Sequence, residues 1–164
     1  MALIDPVTKV GNRTLAEMNL ANRFAEMKRH GVGFGVLFVD VDHFKQVNDL
    51  YGHEAGDKTL HIVSKSMVNS LRSIDVVCRW GGDEFIIIIP NIDMHGLQDI
   101  SERLLRFIIG SNFTFERHNV CVTASVGGTI ANSDDTVSSI IHRADKLMFK
   151  SKSSGGNIYT FDVQ

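Results

Sequence analysis

The chain has 164 residues, which makes one domain long enough to bury a sizeable core. It is 43% apolar and 22% charged, and its formal net charge of −2 argues against a surface that coats nucleic acid or a membrane. No apolar run approaches the length of a membrane span and no signal peptide precedes the first helix, so residence in the cytoplasm is expected.

In chain order, Thr14 with Glu17 predicts a capping box. It opens a helix carrying Leu15, Met18, Phe24 and Met27 and closing at Gly31. Residues 33–40 are apolar on both faces, as a central strand is, and they stop abruptly in Asp40-Val41-Asp42. A short polar segment, 43–52, leads to a second helix with Leu60, Val63, Met67 and Leu71 at helical spacing. Residues 74–90 predict a hairpin with two apolar arms, and Gly81-Gly82 at its tip supply a backbone free to take φ > 0. A third helix carries Leu97, Ile100, Leu104 and Ile108. Val120, Val122, Ala124 and Val126 then alternate with polar or small residues, giving a strand that ends at Gly127-Gly128. A fourth helix holds Val137, Ile140, Ala144 and Met148, and a strand over 158–161 closes the chain. This order implies an α/β sandwich, of α+β type, on a mixed or antiparallel sheet. Cys78 and Cys121 both fall in apolar alternating stretches and read as small buried hydrophobes in a reducing compartment.

Asp40 and Asp42 sit where a buried strand stops, while Asp83 and Glu84 sit at the hairpin tip. Carboxylates at the tip of an apolar ribbon add nothing to a core; they are placed to meet a cation. If the strands are neighbours, three or four carboxylates converge on one sheet edge and raise each other's pKa unless a cation is shared. Magnesium suits such a site, because it accepts one or two carboxylates and completes its shell with water and substrate phosphates. Two such ions can bracket a phosphoryl group. The competing reading has Asp40 and Asp42 capping a helix and Asp83 and Glu84 solvating a turn. Other phosphate signatures are absent. Residues 52–58 have the wrong glycine spacing for a Walker loop, and Gly31, Gly33 and Gly35 precede a strand rather than follow one. His53-Glu54 lacks the second histidine of a zinc-protease motif, since Asp57 stands in its place.

Gly81-Gly82-Asp83-Glu84-Phe85 resembles the signature of the GGDEF domain, the diguanylate cyclase module. The resemblance extends over nearly the whole chain. Asp5-Pro6-Val7-Thr8 with Asn12-Arg13 is similar to the family's N-terminal turn. Asp40 to Lys45, Asn48-Asp49, Gly52-His53 and Gly56-Asp57 are similar to its metal and guanine segment, and Ala144-Asp145 with Lys152 to its C-terminal phosphate segment. Residues 1–164 are thus read as a single GGDEF domain taken from a longer signalling protein with N-terminal sensor or C-terminal domains.

The resemblance implies a palm-like fold of the nucleotidyl-cyclase and polymerase kind, with a mainly antiparallel five-stranded sheet flanked by helices. It implies condensation of two GTP into cyclic di-GMP with release of pyrophosphate. It also implies two Mg2+ per active site, with Mn2+ as a substitute, and a homodimer in which two sites face each other. Asp40, Asp83 and the Val41 carbonyl would ligate metal, Glu84 would assist a second ion, and Asp83 would help deprotonate the ribose 3′-hydroxyl. Asn48 and Asp57 would read guanine with His53 nearby, and Gly81 and Gly82 would leave room for the nucleotide. The backbone at His43 and Phe44, with Lys45 and Lys152, would cradle the β- and γ-phosphates. Asp5 would pair with Arg79 to brace the hairpin.

Arg72 and Asp75 stand at the offset of the family's product-inhibition site, with Arg103 as a further contact to cyclic di-GMP. Two departures stand out. Gly155-Gly156-Asn157 lacks the phosphate-binding arginine usual at position 156, which predicts a higher KM for GTP, and Lys9 and Gly11 replace a glycine and a proline. The alternative function is a weak or inactive module that binds GTP or cyclic di-GMP as a sensor.

Overall fold

The computed structural model describes residues 2–162. Helix α1 (Arg13–His30) is capped by Asn12 rather than Thr14, because the Asn12 side chain accepts from the Leu15 N–H at 3.0 Å. Glu17 is thereby placed inside the helix, where it takes the Arg13 guanidinium at 3.2 Å. Gly31 ends α1 in the left-handed region at φ 69, as expected. Strand β1 (Phe34–Val41) follows. The polar segment after it holds a helix, α2 (Phe44–Tyr51), since Val47 is buried and Phe44 and Tyr51 pack on the core. Helix α3 (His53–Ser70) leads to β2 (Val76–Gly81) and β3 (Glu84–Pro90).

The predicted hairpin forms, with Gly82 and Asp83 as its turn. Neither tip glycine takes a positive φ, which corrects the sequence expectation; the register shift at Trp80 supplies the bend instead. Helix α4 (Met94–Ile109) starts from an Asp93 cap. The strand expected from residue 120 is divided. A small hairpin, β4 (Phe113–Phe115) with β5 (His118–Val120), precedes β6 (Ala124–Ile130). Gly127 and Gly128 lie inside β6, not at its end. Helix α5 (Val137–Ser153) and β7 (Tyr159–Phe161) complete the order.

Five strands form one sheet in the order β2-β3-β1-β6-β7. All neighbours are antiparallel except β6 and β7. The unbroken apolar run of β3 is explained by two covered faces. Phe85, Ile87 and Ile89 join Leu60, Val63, Met67, Leu97 and Leu104 on the α3 and α4 side, whereas Ile86 and Ile88 join Leu20, Ile140, Ala144 and Met148 on the α1 and α5 side. Close approach of α5 needs Gly127, where a Cβ would come within 2.1 Å of the Met148 nitrogen and 2.2 Å of the Ala144 carbonyl oxygen. Cys78 is buried, and that burial pushes its thiol up to about 12. Cys121 is exposed, against expectation, because it falls in the link between β5 and β6. No helix among the described residues is long and apolar enough to cross a membrane.

Candidate active site

Register places the acids. Asp40, near the end of β1, lies opposite Glu84 of β3, and the Val41 N–H donates to the Asp83 carbonyl at 3.1 Å. The first residue past the hairpin turn and the last residues of β1 therefore share one end of the sheet. Asp40 and Asp83 face each other closely enough for their carboxyl groups to interact. Burial, together with the Asp83 charge and against the pull of Lys152, pushes Asp40 up to about 7. Glu84 is raised by burial and then by the Asp145 and Asp83 charges.

From the C-terminal turn of α5, the Lys152 ammonium donates to Asp40 Oδ1 at 2.6 Å and to the Val41 carbonyl at 3.3 Å. A cation thus already sits against the donors that the sequence assigned to metal. Among the described residues, no three His, Cys, Asp or Glu side chains form a complete metal cage. The donor set is two facing carboxylates and one carbonyl. It fits a hard divalent cation that keeps open positions for water and phosphate, and Mg2+ meets that description.

Asp42 is buried beside this cluster, 3.7 Å from the Lys152 ammonium, and its carboxylate accepts from the Thr123 and Ser125 hydroxyls at 2.8 and 2.7 Å. Its role escaped the sequence because those partners are 81 and 83 positions away.

Arg79 braces the hairpin tip. Its Nε and Nη2 donate to the Gly82 carbonyl at 3.0 and 2.8 Å, and Nη1 reaches Asp5 at 3.3 Å, as expected for that pair. The Thr8 N–H and hydroxyl, with Arg79, hold Asp5 below its ordinary value despite burial. A second brace was not legible in the sequence: Arg13 stacks over the Trp80 ring at 4.0 Å. Asn12-Arg13 belongs to the turn that resembles the family's, but nothing in that dipeptide points to residue 80.

The nucleotide-reading candidates cluster on α2 and α3. Asn48 abuts Gly56, the neighbour of Asp57, and the Asn48 Oδ1 is buried with no hydrogen-bond partner. Asp57, His53 and Lys45 are exposed. No side chain caps the first turn of α2, which begins at His43 in the left-handed region, φ 58. Its first N–H groups are therefore open to an anion. Gly82 is exposed with nothing within 4 Å of a notional Cβ.

Arg72 and Asp75 lie at the far end of the hairpin. Arg72 Nη2 donates to Asp75 Oδ1 at 3.0 Å and to the Pro90 carbonyl at 2.8 Å, while Asp75 Oδ2 accepts the Arg72 N–H at 2.8 Å. Arg103 stands close by, donating to the Ser70 carbonyl at 2.7 Å, and does not touch the pair through a hydrogen bond. A groove lined by Val10, Val68, Leu71, Arg72 and Asp75 runs alongside.

The sheet, its two helical layers and the facing acids at its rim define an α+β domain of the nucleotidyl-cyclase palm type. A family model described as "Diguanylate cyclase, GGDEF domain" matches residues 2–158, and the chain belongs to the GGDEF family. Diguanylate cyclase DgcP of Pseudomonas aeruginosa is 32% identical over 154 residues, 94% of this chain and 23% of that protein. The chain therefore spans about a quarter of that relative's length. The crystal structure of diguanylate cyclase SiaD in complex with its activator SiaC, also from Pseudomonas aeruginosa, is similar with a TM-score of 0.95. Identity there is 32%, over 98% of this chain and 62% of that one. The GGDEF domain of DgcB from Caulobacter crescentus, solved in complex with cyclic di-GMP, gives a TM-score of 0.93 at 25% identity, over 98% and 96% of the two chains.

Proposed function

We propose that this chain is the catalytic module of a cytoplasmic diguanylate cyclase, joining two GTP into cyclic di-GMP with release of two pyrophosphates. The observation that carries the reading is the facing Asp40 and Asp83 pair with Lys152 against it, in a chain of the GGDEF family. Asp40, Asp83 and the Val41 carbonyl would hold Mg2+, with Glu84 beside them. An ion held there would lower the pKa of a neighbouring hydroxyl and neutralise charge on the phosphates.

The chain's own residues supply the rest. Asn48 donates to or accepts from the guanine edge, and the Asp57 carboxylate accepts from its ring N–H and amino group, which adenine does not offer together. The open N–H groups at the start of α2, with Lys45 and Lys152, hold the triphosphate. Asp83 takes the proton from the ribose 3′-hydroxyl. The freed oxygen forms a bond to the α-phosphorus of the other nucleotide, and the bond to the β-phosphate oxygen breaks. One domain holds one GTP, so two domains must face each other for both bonds to form in line. Product docking between Arg72, Asp75 and Arg103 would then report accumulated cyclic di-GMP.

A leucine-zipper fusion that pairs two copies tests the reading. Incubated with GTP and Mg2+, it is expected to release cyclic di-GMP, and Asp83→Ala is expected to abolish that release. A paired protein that binds GTP yet behaves like its Asp83→Ala variant is a sensor module, and the cyclase reading falls.

A further inference from the structure

Asp42 is an acid at this end of the sheet that the proposed chemistry leaves idle, yet its carboxylate is heavily bonded. It is buried, with hydroxyl donors from Thr123 and Ser125 and a backbone donor, the Asn157 N–H, at 2.9 Å. Lys152 lies 3.7 Å from its other oxygen. Its own N–H donates to the Thr123 carbonyl at 2.9 Å. That N–H belongs to the same peptide plane as the Val41 carbonyl, so anchoring one aims the other. The carbonyl it aims is the one that meets the Lys152 ammonium. On its far side, Asp42 holds the turn leaving α5, where the Gly156 N–H also donates to the Ser151 carbonyl at 3.1 Å.

That turn contains the departure noted in the sequence. Gly156 has φ 79, and a Cβ there would fall 2.6 Å from Asp42 Oδ2 and 2.9 Å from Asp42 Cγ. Gly155 has φ 109, and a Cβ there would meet nothing within 4 Å. The two adjacent glycines share the left-handed strain of any replacement, but only Gly156 makes room for the carboxylate.

Resting on the cyclase reading, we propose that Asp42 is a positioning residue for nucleotide and metal. It clamps the Gly155–Asn157 turn to the end of β1, which fixes the Val41 carbonyl and the Lys152 ammonium in the site. Gly156 is the residue whose missing side chain lets the clamp close. The chemistry of the donors sets the choice of variant. An asparagine could keep its oxygen toward the Asn157 N–H and the Thr123 hydroxyl and turn its NH2 to the Ser125 hydroxyl, so Asp42→Ala, which removes every acceptor, is the variant that opens the clamp.

The test is calorimetric titration of the chain with the non-hydrolysable analogue guanosine 5′-(α,β-methylene)triphosphate across a Mg2+ series, with metal-free thermal melts alongside. Asp42→Ala and Gly156→Ala are each expected to raise the Mg2+ needed for half-maximal analogue binding by about 10- to 100-fold. Gly155→Ala is expected to move it by no more than about twofold, although both glycine variants melt earlier. In an Asp42→Ala background the Gly156→Ala change should lose its effect on binding, because the atoms it would strike are gone. If Asp42→Ala does not fold, the two glycine variants carry the test alone. Equal binding loss at 155 and 156, or analogue binding by Asp42→Ala with the wild-type Mg2+ requirement, overturns the clamp. A wild-type chain that binds no analogue at any Mg2+ concentration takes down the cyclase reading and the clamp together.

Discussion

Asn48 and Gly56 form one unit within the proposed guanine pocket. A Cβ at Gly56 would stand 1.9 Å from the Asn48 Oδ1, and that oxygen has no hydrogen-bond partner. Shape alone seats the amide there, with its carbonyl end against Gly56 and its NH2 group left for a ligand. Gly56→Ala must push the amide out of this seat. A misplaced hydrogen bond to a base costs about tenfold in affinity, so KM for GTP should rise by that order, and competition between GTP and ATP should show a weaker preference for guanine. Unchanged discrimination would remove Asn48 from base reading. The pair shows how far sequence carried at this scale. The resemblance to the family assigns Asn48 and Asp57 to guanine, and the structure sets Asn48 beside Gly56, next to Asp57. That Gly56 is required by the asparagine side chain eight positions earlier could be learned only from how α2 folds back on α3. Asp42 marks the same boundary: a carboxylate at a strand end reads as a metal ligand until its distant hydroxyl partners are known.

Helix α5 carries Lys152 into the site, and two features fix its position along the sheet. At its start, Arg143 donates to Asp135 through Nη1 at 2.7 Å and Nη2 at 2.6 Å, and through Nε to the Thr129 hydroxyl at 2.8 Å. Burial alone would raise Asp135; the Arg143 guanidinium, the Asn132 N–H and the Ser139 hydroxyl outweigh it and hold the carboxyl at about 2. A carboxyl held below its ordinary value of 3.8 contributes stability above pH 4, and that contribution fades as pH falls toward 2. Asp135→Asn is expected to cost about 2 kcal/mol at pH 7 and almost nothing at pH 2, read from denaturant melts across that range. An equal cost at both ends would mean that the ion pair contributes through shape and not through charge. In the middle of α5, Gly127→Ala would drive a methyl group into the Met148 backbone one turn before Lys152, at about 1–3 kcal/mol, and GTP affinity should fall with stability. The apolar spacing of this helix was plain in the sequence. The β4–β5 hairpin was not, because each arm has only three residues, too few for an alternating pattern to register.

The two proposed sites occupy opposite ends of the β2–β3 hairpin. Asp83 lies in its turn, while Arg72 and Asp75 sit below its base, where Arg72 also holds the last carbonyl of β3 at Pro90. A six-residue strand spans about 20 Å at roughly 3.4 Å per residue, so a ligand on Arg72 cannot touch the reacting groups of its own domain. Inhibition from there must act on how two domains face each other, or on the hairpin that joins the sites. In the free chain the ion pair is closed, with the Asp75 side chain fully shielded beneath Arg72. Binding therefore has to draw the guanidinium off Asp75 or use the donors that Arg72 has left over. Arg72→Ala removes the fork and leaves the acids at the tip in place. In a paired protein it should keep its initial rate of cyclic di-GMP synthesis and lose the slowing that added product causes, as measured by initial rates over a product series. Asp83→Ala should do the reverse, losing synthesis while still binding cyclic di-GMP in calorimetry. If Arg72→Ala is slowed by product as the parent is, Arg72 has no part in feedback, and its bonds to Asp75 and Pro90 serve only to close the base of the hairpin.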